Sequence, residues 1–182
     1  MIFEEKTLES ERIYEGAIIN LRRDKVTVKT GTSYREIIEH NGGAVICALT
    51  KEKNLIMVKQ FRKPAEEVLL ELPAGKRDGN EKGVDVAARE LKEETGFTAG
   101  KIVNLTNMFT SPGYSNEVLE IYLATDLSPG ETDFDENEAI DIIEIPLEEL
   151  VDAVMQGKIK DAKTIVGIMM TAEAIRRWSD LV

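Results

Sequence analysis

The chain has 182 residues, 42% hydrophobic and 31% charged, which supplies one packed core and is too apolar for a disordered tract. Lys and Arg number 23 against 34 Asp and Glu, leaving a net charge of -11, the wrong sign for general attraction to nucleic acid. A single cysteine, Cys47, and a single histidine, His40, exclude an internal disulfide and a Cys/His zinc site.

The first forty residues hold short β-type segments at 13–14, 18–21, 26–28 and 34–38, split by polar and Gly-containing turns. They predict a small antiparallel β domain over 1–40, with a larger domain over 41–182. The larger part opens on an apolar run at 44–49, which makes Cys47 a buried strand residue, while His40 beside Asn41-Gly42-Gly43 reads as a turn. A turn over 50–54 leads to a strand at 55–60, and a third strand at 68–72 ends at Pro73. The period then changes. Val84, Ala87, Ala88 and Leu91 recur at helical spacing over 81–94, and Gly96 stands where a helix stops. Strands are predicted near 102–105, 118–124 and 140–145, separated by loops at 111–116 and 127–137. Pro146 opens a helix over 147–156, Gly157 stops it, and Asp161 with Thr164 caps a last helix reaching Trp178. The order predicts an α+β fold with a mixed sheet flanked by helices. The first ten residues lack a basic stretch followed by an apolar one, and nothing approaches 18 uninterrupted apolar residues, so a cytoplasmic chain without membrane attachment is expected.

Chemistry concentrates between Gly75 and Phe97. On a helix Glu90 and Glu94 stand one turn apart, and relative to Leu91 as the centre of the buried stripe they lie about 100° and 60° away, at the edge of the packed face. Like charges at that spacing repel and call for a cation. Arg89, four residues before Glu93, offsets one carboxylate and leaves Glu90 and Glu94 with no obvious side-chain partner. Oxygen ligands without cysteine or histidine favour Mg²⁺ or Mn²⁺ over zinc. A Glu-rich solvated face would account for the acids alone, but not for glycines fixed at both ends of the segment.

Gly75, five residues, Glu81, seven residues, then Arg89-Glu90-Leu91-Lys92-Glu93-Glu94-Thr95-Gly96-Phe97 resembles the signature of the Nudix hydrolases. Phe97 stands where the pattern has an aliphatic residue. The resemblance implies an α/β/α sandwich with a mixed sheet that hydrolyses a nucleoside diphosphate linked to another group. It implies Glu90 and Glu94 as metal ligands with the backbone carbonyl of Ala74, Glu93 as a further ligand or water orienter, and Arg89 as the residue that holds Glu93. Mg²⁺ is the implied cofactor, with Mn²⁺ as a substitute.

Flanking residues resemble the ADP-ribose pyrophosphatases within that family. The runs 60–64 and 69–76 are similar to the segment before the box, which implies Arg62 as a cation for the substrate phosphates. Arg35 is a second choice. Pro112, in Ser111-Pro112-Gly113, lies sixteen positions past Gly96 and resembles the marker of this subgroup, so Pro112 and Gly113 are expected substrate contacts, although an ordinary Pro-Gly turn explains them too. The acidic loop 133–140 implies a general base, Glu138 first and Glu136 second. The N-terminal part resembles a β domain exchanged in a homodimer, where Tyr14 or Tyr34 would stack on adenine. The implied reaction splits ADP-ribose into AMP and ribose 5-phosphate. A nucleotide sugar such as GDP-mannose is the alternative substrate, and a non-catalytic ADP-ribose sensor is the alternative class.

Overall fold

The computed structural model describes residues 2–133 and 140–178. The chain divides into two compact units, the first made of residues 1–42 with 109–118 and the second of 43–108 with 119–182.

In the first unit β1 (Thr7–Glu15), β2 (Asn20–Val28) and β3 (Gly31–Glu39) form an antiparallel sheet in the order β1-β2-β3. The four expected segments are therefore three strands, because 18–21 and 26–28 lead into the two ends of β2. The polar run Arg22-Arg23-Asp24-Lys25 hides that continuity. Asp24 occupies an interior position at 2% exposure, where it accepts from Ser10 Oγ at 2.6 Å and Arg22 Nε at 3.2 Å. A satisfied carboxylate can replace an apolar side chain at such a position, and the alternation then disappears from the sequence.

The second unit runs β4 (Gly43–Ala48), β5 (Asn54–Arg62), β6 (Glu67–Glu71), β7 (Ala74–Lys76), α1 (Gly83–Thr95), β8 (Thr98–Phe109), β9 (Val118–Ser128), β10 (Asp141–Pro146), α2 (Leu147–Met155) and α3 (Ala162–Arg177). One sheet has the order β7-β4-β9-β8, with β4 parallel to β9 and antiparallel to β7, and the other is the antiparallel trio β10-β5-β6. This is the expected mixed architecture. β4 is buried throughout because both its faces are covered, which explains a continuous apolar run in place of alternation. Ala44, Ile46 and Ala48 face a cluster with Val86, Ala87 and Leu91 of α1, whereas Val45 and Cys47 face a cluster with Leu150 of α2 and Ile168 of α3. The result is an α/β/α sandwich.

Local signals set the helix ends. Gly96 takes the left-handed conformation at φ 74° while its N–H donates to Lys92 O at 2.8 Å, ending α1. Asp161 Oδ2 accepts from Thr164 N at 3.0 Å and caps α3. Among the described residues no helix is long and apolar enough to cross a membrane.

Candidate active site

The site is the seam between α1 and the short strand β7. Leu91 is fully buried, and the helical period carries Glu94 in with it to 5% exposure while Glu90 stays at the rim. Across the seam, Ala74 N donates to Glu94 Oε2 at 3.2 Å. Gly75 lies under Glu90, and a Cβ built on it would collide with the Glu90 carboxylate. The glycine is therefore needed for room, letting an acidic side chain rest against strand backbone.

Arg89 organises the acids around this seam. Its Nη1 donates to Glu90 Oε1 at 2.7 Å and to Glu93 Oε2 at 2.8 Å, its Nε and Nη2 reach Glu81 at 3.3 Å each, and Nη2 also reaches Lys76 O at 3.2 Å. The expected Arg89–Glu93 pair is present, but Glu90 is not without a side-chain partner, since the same guanidinium holds it. The Glu81 hydrogen bond, followed by the Glu90 charge, strengthens the protonated form of Arg89, and the guanidinium in turn holds the Glu81 carboxyl below its ordinary value. Gly83, the first residue of α1, leaves room for Glu120 of β9, whose carboxylate takes Arg77 and the Tyr122 hydroxyl. Burial, then the Glu120 hydrogen bond, pushes the Tyr122 phenol up to about 12. These contacts tie the loop between β7 and α1 to the sheet.

The side-chain donor set is all oxygen, two helix carboxylates with Glu93 beside them. Together with the cradle over Gly75, it fits a hard divalent cation. Among the described residues no three acidic, histidine or cysteine side chains are gathered closely enough to hold a metal ion by themselves.

Arg62 lies in the second unit at the end of β5. It makes a two-pronged pair with Glu71, Nε to Oε1 at 2.8 Å and Nη2 to Oε2 at 2.7 Å. Glu71 escaped the sequence reading, having no signal beyond an acid at the end of an apolar strand. Arg35, Tyr14, Pro112 and Gly113 lie in the first unit. Arg35 pairs with Glu5 at 2.5 Å, Tyr14 is 57% exposed and not packed in a core, and Tyr34 carries Arg23 over its ring at 5.3 Å. Pro112 and Gly113 form an exposed turn closed by Ser115 N donating to Ser111 O at 2.9 Å. Glu136 and Glu138 lie outside the described residues. Cys47 is buried, and burial pushes its thiol up to about 12, which suits a packing residue and not a nucleophile.

Comparison with known proteins adds an independent line. Residues 40–165 match the NUDIX domain family. The chain is 42% identical over 168 residues to an ADP-ribose pyrophosphatase of Bacillus subtilis (strain 168), covering 91% of each chain. It is 39% identical over 170 residues to a methanol dehydrogenase activator of Bacillus methanolicus, covering 92% of each. A solved structure of an ADP compounds hydrolase superposes with a TM-score of 0.85 at 21% identity, covering 97% of this chain and 96% of the other, and establishes likeness of fold.

Proposed function

Because the chain belongs to the Nudix family of divalent-metal hydrolases, we propose that it cleaves the diphosphate of ADP-ribose to AMP and ribose 5-phosphate, with Mg²⁺ preferred and Mn²⁺ as a substitute. The observation that carries the substrate is the likeness, across 91% of both chains, to a protein named for that activity. The all-oxygen seam of α1 and β7 supports the same chemistry.

In this reading Glu90 and Glu94, with the carbonyl of Ala74, would hold the cation, and Glu93 is a further ligand or orients water. When bound there, a divalent ion neutralises diphosphate charge and lowers the pKa of water. The remaining work falls to the chain's own side chains. Arg89 aims Glu90 and Glu93, so the carboxylates keep their orientation without a conformational search. Arg62 offers a fixed positive charge suited to two-pronged contact with phosphate oxygens. Glu138, or Glu136 as second choice, takes a proton from the attacking water as its oxygen bonds to phosphorus and the phosphoanhydride bond breaks. Arg35, Tyr14, Pro112 and Gly113 complete the proposed substrate contacts, a homodimer is the proposed assembly, and the cytoplasm the proposed location.

Turnover of ADP-ribose and GDP-mannose by the purified protein tests the substrate. ADP-ribose is expected to lead in kcat/KM by at least about tenfold, a margin within what pocket contacts supply. A lead of that size for GDP-mannose would replace the substrate and keep the chemistry. The likeness to a methanol dehydrogenase activator favours a second reading, action upon a partner enzyme. A protein working solely as an activator or sensor would leave free ADP-ribose intact.

A further inference from the structure

Glu71 is 1% exposed and carries its charge in the interior, between two cations. Its Oε1 takes Arg62 Nε, and its Oε2 is shared by Arg62 Nη2 and Lys163 Nζ, the last at 2.5 Å. Lys163 in turn touches Asp161 at 2.9 Å, and Asp161 caps α3. One residue beyond Glu71, Leu72 N donates to Thr164 Oγ1 at 2.9 Å. Glu71 is thus fixed to the start of α3 from both sides.

Arg62 is placed differently, with 39% of its side chain exposed. In the β5–β6 ladder Glu71 stands opposite Val58 and Arg62 opposite Glu67, so the Arg62 side chain lies back along its own strand to reach its partner. That ordering costs rotamer freedom, and burial of an ion pair is weak ground for stability by itself. What the arrangement does secure is direction. The two bonds to Glu71 occupy the Nε/Nη2 edge of the guanidinium, while the Nη1/Nη2 edge is the one a second planar or tetrahedral oxyanion would take. The Glu71 hydrogen bond, ahead of the charges of Glu71, Asp161 and Glu94, strengthens the protonated form of Arg62 against partial burial.

We propose that Glu71 is a positioning residue for diphosphate recognition: from its anchorage on Lys163 it grips one edge of the Arg62 guanidinium and presents the other edge to the substrate. The inference rests on the reading above, in which Arg62 meets the diphosphate of ADP-ribose.

KM and kcat for ADP-ribose, with thermal midpoints, in wild type, Arg62→Ala, Glu71→Gln and the double variant test it. Arg62→Ala and Glu71→Gln are each expected to raise KM by at least about fivefold with the loss falling mainly on KM, and the double variant to be no worse in KM than Arg62→Ala. Glu71→Asp keeps the charge but withdraws it by one methylene, so it raises KM in a folded protein even if the glutamine variant fails to fold. An unchanged KM in Glu71→Asp or Glu71→Gln beside a lowered midpoint overturns the proposal and makes Glu71 a structural residue. Equal KM effects of Glu71→Gln with and without Arg62 overturn it as well. An unchanged KM in Arg62→Ala instead removes the underlying reading of Arg62.

Discussion

Gly75→Ala isolates the geometry of the α1–β7 seam from the stability of the fold. Gly75 is not in the left-handed region, so alanine fits its backbone, but the new methyl would overlap the carboxylate carbon and both oxygens of Glu90. Ordinary contact requires that group to retreat by more than about 1 Å. The obstacle is the end of a flexible side chain, which can turn away for about 0.5–1.5 kcal/mol in rotamer strain. Reduced freedom of the unfolded chain returns about 0.4–1 kcal/mol. The net is within about 1 kcal/mol, a midpoint shift of about 2–4 °C for a protein of this size. Activity responds on another scale, because displacing a catalytic group by about 1 Å can cost 100-fold. The expected result is a folded variant with kcat for ADP-ribose reduced by about 100-fold, measured with matched thermal scans. A variant that keeps wild-type kcat would refute the argument that Glu90 must rest against the strand.

Arg89→Met removes the common cation of Glu81, Glu90 and Glu93 and is expected to cost about 10–100-fold in kcat/KM or in divalent-ion affinity, the range for groups that orient ligands; unaltered values in both would sink that role. Arg12 and Arg22 hold the Glu39 carboxyl below its ordinary value, and for Glu71 the pull of Arg62 and Lys163 outweighs burial and does the same. A carboxyl depressed in the folded state stabilises above its unfolded value near 4.5, and that contribution is lost as pH falls through the folded value. The thermal midpoint should therefore fall below about pH 4.5, less steeply in Glu39→Gln, and a midpoint flat down to about pH 3 would contradict the linkage. Cys47 should resist a thiol reagent at pH 8 in the folded protein and react fully in guanidinium, whereas rapid native labelling would contradict its burial.

The sandwich and its acidic helix were legible because their signals are local. Ala87 and Leu91 lie on the buried side of α1 as their spacing implies, whereas Val84 and Ala88 are exposed and Val86 takes the inward place, and a left-handed Gly96 ends the helix. β7 was missed because three residues, Ala-Gly-Lys, carry no period, and their strand character comes from pairing Val45 with Ala74 and Ala44 with Gly75. Arg89 illustrates the same limit. Its turn-spaced pair with Glu93 follows from helix geometry, while its contact with Glu81 depends on how the preceding loop returns to the helix. Glu71 was silent because a glutamate at a strand end ordinarily faces water, and its partners arrive from β5 and α3. Asp24 hid the continuity of β2 for a related reason: its interior place depends on partners elsewhere in the sheet.

Calorimetric titration of Mn²⁺ into wild type and into Glu94→Gln tests the acidic seam most directly. The glutamine keeps the shape of the buried side chain and removes its charge. Wild type should bind saturably with hydrolysis of ADP-ribose rising in step, and the variant, folded by circular dichroism, should lose both. Equal ion affinity and equal turnover in the two proteins would contradict the assignment of the cation to α1.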